Sequence, residues 1–292
     1  SMLRALGDSK TPLYFLILAT VLNIFLDFLF IITFNLGIAG AAIATVIAQG
    51  FAGISCTFFM FKKYKILQLS KDDKKIRPNL FSSLCSSGFP MGFQFSITAI
   101  GNIILQSAVN TLGSDVVACV TAANKLQFFF CCPFDALGTA MATWSGQNLG
   151  ANKPRRVKEG LLVTVVMTII YSAVIAFLIF VFGNHFVKLF LDSSEILLIS
   201  DSHFFMKIAS LFYFPLAMVI IVRATIQGMG YTKISVFAGI FEMIARTVTA
   251  FFFVPKFGFV AAAFASPMAW VFADLFLIIT FIICYKKILK EN

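Results

Sequence analysis

The chain is 292 residues long, 60% hydrophobic and only 12% charged, with a mean hydropathy of +0.94. That balance excludes a water-soluble domain of ordinary composition, and apolar runs of twenty or more residues exclude a membrane β-barrel, whose strands are short and alternating. The net charge of +10 does not point to nucleic acid, because the basic residues fall between apolar runs, where membrane topology accounts for them.

Taken in chain order, stretches of about 20 apolar residues predict an all-α, polytopic membrane bundle. Its eight transmembrane helices are expected at 12–34, 38–61, 89–112, 116–148, 160–183, 203–228, 234–254 and 259–284. The first run is not a secretory signal, since Ser1–Asp8 lacks a basic leader and the run is too long. Residues 1–61 then form one helix hairpin of a partial lobe, 62–88 a cytoplasmic linker, 89–285 a complete six-helix lobe and 286–292 a cytoplasmic tail. The fourth run is overlong and contains Pro133, so a kink is expected there.

The polar stretch Lys62–Pro78 carries seven basic residues and must lie in water. If it is cytoplasmic, alternation assigns 18 of the 23 Lys and Arg to the same side, Arg223 and Lys233 among them. Lys188, Lys207 and Lys256 fall on the other side, with Lys125 and Arg246 inside spans. This asymmetry places both termini in the cytoplasm and the chain in the cell membrane, with lipid as its surrounding partner.

Within the first hairpin, Asp27 lies nine residues before a turn near Leu36 and Thr45 nine after it. Each is then about 13–14 Å below the outer surface, near the middle of a core about 30 Å thick. Asn23 stands one turn from Asp27 on the same face, so carboxylate, amide and hydroxyl can converge on one volume of oxygen ligands. A carboxylate at that depth is costly unless protonated or paired, which suits a group that loads and releases H⁺ or holds Na⁺. Further along, Lys125 and Glu242 both count to near mid-depth and could pair, with Arg246 one turn from Glu242 competing for it. They read as an ion pair between helices or as the lining of a substrate cavity. Asp135 and Asp274 count nearer the cytoplasmic end and read as structural.

The six cysteines (Cys56, Cys85, Cys119, Cys131, Cys132 and Cys284) include no C-x-x-C pair, which argues against a disulfide framework or a metal site. There is no clustered catalytic set, HExxH or phosphate loop, so the chain is not read as an enzyme and needs no cofactor beyond a coupling ion.

Two segments recur. Gly7-Asp8-Ser9-Lys10 returns as Gly230-Tyr231-Thr232-Lys233, and the ten residues from Leu36 to Thr45 return as Phe257 to Ser266. Both copies begin on the cytoplasmic side six spans apart, so they form a parallel repeat about an axis along the membrane normal, a transporter architecture. Four spans precede the second copy but none precedes the first. Symmetry therefore implies about 140 further residues and four missing N-terminal helices ahead of residue 1.

Together, the run Leu3–Pro12, the pair Asn23 and Asp27, the stretch Gly37–Thr45 and the motif Gly146-Gln147-Asn148-Leu149-Gly150-Ala151 resemble the multidrug and toxic compound extrusion (MATE) family. The resemblance covers nearly the whole chain as the fifth to twelfth helices. It implies two six-helix lobes that expel drugs or other small organic compounds in exchange for H⁺ or Na⁺. One branch of that family builds its cation site from an acid on the first helix, an Asn and an Asp on the fifth and a Thr on the sixth. The last three match Asn23, Asp27 and Thr45. Another branch uses acids on the seventh and tenth helices, but 89–112 and 203–228 contain none. A lipid-linked saccharide flippase of the same superfamily is the alternative, and it has less need of the Asn23, Asp27 and Thr45 set. The glycines of Gly146–Ala151 are expected to allow a helix-ending turn and close helix approach.

Overall fold

A computed structural model describes residues 2–64, 67, 77–191 and 195–291. All regular structure among them is helical. The elements are α1 (Met2–Ala5), α2 (Lys10–Asp27), a π-helical segment (Phe28–Thr33), α3 (Gly37–Lys63), α4 (Pro78–Asn110) and α5 (Ser114–Gly150). There follow α6 (Pro154–Val187), α7 (Ile196–Leu211), α8 (Tyr213–Gly228), α9 (Thr232–Val248), a second π-helical segment (Thr249–Phe253) and α10 (Val254–Glu291). The contacts divide the chain into two compact units, Ser1–Pro78 and Asn79–Asn292.

Five helices are individually long and apolar enough to cross a bilayer, and a sixth such stretch runs through Thr232–Lys290 for 59 residues. As one helix that stretch would measure about 89 Å, against an apolar core of about 30 Å, so it must cross twice. Gly258, with φ 56° and ψ −132°, is the non-helical residue that divides it. The remaining span is the pair α7 and α8, bent by 50°. Pro215 explains the bend: it fits the first turn of α8, where no backbone N–H is required, but cannot continue α7. With these two breaks, the helices follow the eight segments expected from the sequence.

Some boundaries differ from the expectation. Helix α4 begins at Pro78 rather than near 89, so the last part of 62–88 is helical. Lys65, Lys71, Lys74 and Lys75 of that stretch lie outside the described residues. The segment read as a tail from 286 is a continuation of α10 through Glu291. Helix α5 runs through Pro133, and in the turn before it the Phe130 carbonyl accepts a 2.9 Å hydrogen bond from the Tyr171 hydroxyl. A helical proline loosens the bonding of the preceding turn, and a side chain from a neighbouring helix can supply the missing partner.

In unit 1, α3 lays Gly40, Ala44, Ala48 and Ala52 along one buried stripe at helical spacing, while α2 and α3 pack together as a hairpin. Small residues let two apolar helices approach where lipid offers no hydrophobic driving force. In unit 2, α5 packs on α6, α7 and α8, and α10 packs on α8 and α9. The core there contains Phe134, Ile179, Tyr213, Ile221 and Leu277, all fully buried, and a run of buried alanines on α10. Many outward-facing side chains are large and apolar, among them Leu16, Phe25, Phe58, Phe177 and Ile283. Water would penalise such faces and acyl chains accept them.

Along the second half of α5, close helix approach and the helix-ending turn fall to different residues. Gly138 and Gly146 bring α5 against α8: a Cβ on Gly138 would stand 2.9 Å from the Ile220 side chain, and one on Gly146 3.4 Å from the Gly228 carbonyl. The turn itself is made by Asn152, at φ 55°, with Lys153 N–H bonding back to the Asn148 carbonyl at 2.8 Å. The expectation that a glycine would make this turn is therefore corrected, because Asn also tolerates the left-handed region.

Candidate functional site

Two polar groupings lie inside apolar helices, one in each unit. In unit 1, Asn23 on α2 donates from Nδ2 to Thr45 Oγ1 on α3 at 3.4 Å, and the Thr45 hydroxyl itself donates to the Ala41 carbonyl at 2.9 Å. Asp27 is the last residue of α2, one turn beyond Asn23 on the same face. Its Oδ1 is buried and has no hydrogen-bond partner among the described residues. A lone acceptor of this kind is a receptive position for a proton or a hard cation, because leaving it unmet costs free energy.

One detail of the sequence reading is corrected here. Thr45 sits level with Asn23, not with Asp27. Counting equal numbers of residues from a turn at Leu36 assumed uniform α-helix, but Phe28–Thr33 is π-helical, closed by the bond from Phe34 N–H to the Leu29 carbonyl. The wider π turn places more residues on one side of the hairpin and shifts the register by a fraction of a turn.

At the polar end of the same unit, Asp8 gathers four donors. Its Oδ1 accepts the Thr11 N–H at 3.0 Å, and its Oδ2 accepts the Thr11 hydroxyl (2.7 Å), the Lys63 ammonium (3.1 Å) and the Tyr64 hydroxyl (2.5 Å). The Tyr64 hydroxyl, then Thr11, hold the Asp8 carboxyl well below the usual carboxylate range, and the same bond raises the Tyr64 phenol. This cluster ties the start of α2 to the end of α3, which explains why the Gly-Asp-Ser-Lys motif stands where it does.

In unit 2 the expected pairing of Lys125 with Glu242 does not form. Glu242, 3% exposed, is held instead by Arg223 from α8 and by Arg246 one turn along α9, the latter at 3.1 Å. Lys125 is exposed on another face of the bundle, with its ammonium 5.9 Å from the centre of the Phe190 ring. Arg223 was counted from sequence as a cytoplasmic charge, and the ion pair draws it inward instead. Asp274 is also buried, at 9% exposure, within electrostatic reach of Arg223 and Glu242, and its Oδ1 has no hydrogen-bond partner among the described residues. Counted from sequence to near the cytoplasmic end, it lies in the packed interior of unit 2. Its signal was available, since an acid in an apolar run is seldom idle. Which helices faced it was not.

Beside this charge cluster lies a cavity of about 400 Å³, lined by Asn102 and Gln106 of α4, Asn124 and Gln127 of α5, Arg246 of α9 and Trp270 of α10, among others. A three-residue network, Gln94 with Gln227 (2.7 Å) and Gln227 with Ser235 (3.1 Å), ties α4, α8 and α9 together. No group of three or more His, Cys, Asp or Glu suited to a metal occurs among the described residues.

These features can be set beside known proteins. The MatE family profile matches residues 90–252. The "Probable multidrug resistance protein YpnP" of Bacillus subtilis (strain 168) is 32% identical over 217 residues, 73% of this chain and 47% of that protein. The "Probable multidrug resistance protein YoeA" of the same organism is 31% identical over 249 residues, 82% of this chain and 53% of that protein. A solved outward-facing multidrug resistance MATE family transporter of the MOP superfamily shares the fold, with TM-score 0.87 and 21% identity over 99% of this chain and 65% of that one. The chain thus spans about half the length of the curated relatives it matches. Since the profile match covers more than half of its residues, the chain belongs to the MatE family of multi-pass membrane transporters, a family of carriers and not of enzymes.

Proposed function

We propose that this chain works in a secondary antiporter that expels drugs or other small organic compounds across the cytoplasmic membrane in exchange for H⁺ or Na⁺. In this reading Asn23, Asp27 and Thr45 form the cation-coupling site, and both ends of the chain face the cytoplasm. The observation that carries it is the unpartnered, buried Asp27 Oδ1 one turn from the Asn23–Thr45 contact. A coupling group must be able to exist charged and neutral at one place. A carboxylate with one free acceptor, beside an amide and a hydroxyl that can turn toward a cation, meets that need. Multidrug resistance proteins among the relatives support the substrate class.

The test is dye efflux from proteoliposomes holding the full-length gene product, driven separately by an H⁺ gradient and by a Na⁺ gradient. Efflux under one gradient alone names the ion. Asp27→Asn should abolish gradient-driven efflux while Asn23→Ala and Thr45→Ala weaken it. Undiminished coupled efflux by the Asp27→Asn protein would remove Asp27 from the mechanism.

A further inference from the structure

Four charged side chains gather inside unit 2, and they come from three helices. Glu242 on α9 is held by Arg223 of α8 and by Arg246 one turn along α9. Asp274 on α10 is nine-tenths buried and within electrostatic reach of Arg223 and Glu242. Helices α6 and α7 also touch α10, but among the described residues they bring no charged group within that reach. Along α10 itself the nearest charged residue is Lys286, about three turns away. Two guanidiniums and two carboxylates leave the cluster neutral when all four are ionised.

Asp274 differs from Glu242 in how it takes part. Its Oδ1 accepts no hydrogen bond, and Arg223 Nε donates none, among the described residues. That oxygen is not tied to Arg223 directly, so a proton can settle on it without breaking a hydrogen bond. The buried cluster would then hold two positive charges against one negative, which an apolar interior resists. Arg223 is the member that can leave. Its side chain is 14% exposed against 5% for Arg246, and it stands five residues from Gly228, the last residue of α8. At 1.5 Å per residue that is about 8 Å, a distance over which a long basic side chain can snorkel toward a helix end.

We infer that Asp274 is a proton-binding site whose charge decides where Arg223 sits. Ionised, it keeps the guanidinium inside on Glu242; protonated, it releases that guanidinium toward the end of α8. The buried charge stays balanced in both arrangements. In the first, Arg223 and Arg246 face Glu242 and Asp274. In the second, Arg246 faces Glu242 alone while Asp274 is neutral. A sodium ion is not an equivalent ligand, because it would join two guanidiniums around the same carboxylates. Proton uptake thereby loosens α8 from α9, two helices that this ion pair joins. The inference does not draw on the transport reading or on Asp27.

Infrared difference spectroscopy of the full chain in lipid vesicles, between alkaline and acid pH, tests the proton site. Acidification should produce the C=O stretch of a buried carboxylic acid. That band should be lost in Asp274→Asn, moved in the conservative Asp274→Glu and retained in Asp27→Asn. Phenylglyoxal labelling at one alkaline pH, read by peptide mass spectrometry, tests the release. Arg223 should be protected in the parent and in Asp274→Glu and at least tenfold more reactive in Asp274→Asn, while Arg246 stays protected in all three. The proposal is overturned if acidification gives no such band, or if neither Asp274 variant alters it. Unchanged Arg223 reactivity in a folded Asp274→Asn protein overturns the release. If Asp274→Asn does not fold, an unmoved band in Asp274→Glu overturns the site. Neither measurement reads dye efflux, so failure of the transport reading and failure of this site are told apart.

Discussion

Gly37 and Gly258 share a positive φ, 53° and 56°, 221 residues apart, and each follows a π-helical segment that begins nine residues earlier, at Phe28 and at Thr249. Gly7 and Gly230 match likewise, at φ 87° and 91°. The repeat read from small-residue motifs is thus also a repeat of backbone conformation. A sequence that places glycine where φ must be positive fixes the bend of each hairpin.

This makes a clean substitution test. A Cβ added at Gly37 or Gly258 would meet nothing within 4 Å, so any cost is conformational and not steric crowding. Ala at either site should destabilise by about 1–2 kcal/mol. Gly258 should lie at the high end, because its ψ of −132° falls outside the left-handed helical well. Thermal melts of the two variants in detergent decide it, and an unchanged melt for Gly258→Ala would mean the bend relaxes without strain.

Helix approach gives a contrasting case. At Gly228 a Cβ would stand 2.3 Å from the Ala142 carbonyl oxygen, a backbone atom that cannot rotate away. Gly228→Ala should therefore push α5 and α8 apart and cost about 1–3 kcal/mol. At Gly53, in the middle of α3, nothing lies within 4 Å. Gly53→Ala should be neutral or stabilising by up to about 1 kcal/mol, through helix propensity alone. Opposite shifts of the melting temperature are the expected result.

Glu242 holds two buried guanidiniums, so removing its charge alone strands both. Glu242→Gln should cost about 3–5 kcal/mol, whereas Arg223→Met, Glu242→Leu and Arg246→Met combined should cost much less. Comparing folded yield and melting temperature of the single and triple variants measures the difference. A single variant as stable as the parent would show that the cluster is not held by charge.

The Asp8 cluster predicts a pH dependence. Its carboxyl is depressed in the fold, so the stability it confers is fully present above the ordinary Asp value of about 3.9 and fades as pH falls below it, toward the lower folded value. The melting difference between the parent and Asp8→Asn should stay constant from pH 7 to about pH 5 and shrink below about pH 4. Tyr64→Phe, which removes the strongest contact to that carboxyl, should move the shrinkage toward higher pH.

Much of this protein was legible in the residues alone, and the reason is that the relevant physics is local. Twenty apolar residues demand a span whatever their neighbours, positive φ demands glycine, and the spacing of Asn23 and Asp27 puts both on one face before any partner is known. The level at which Thr45 meets that face was set by the π turn at Phe28–Thr33, a hydrogen-bonding choice that residue counting does not register. The partners of Glu242 were likewise beyond reach. Lys125 counts to the depth of Glu242 and Arg223 to the cytoplasmic end, yet Arg223 is the partner. Which of them faces Glu242 depends on the rotation of α5 and α8 about their axes and on the bend of α8 from α7 at Phe212. Depth is written along a chain one residue at a time, but direction around a helix is decided only when several helices pack together, because only then does one side of each become the inside.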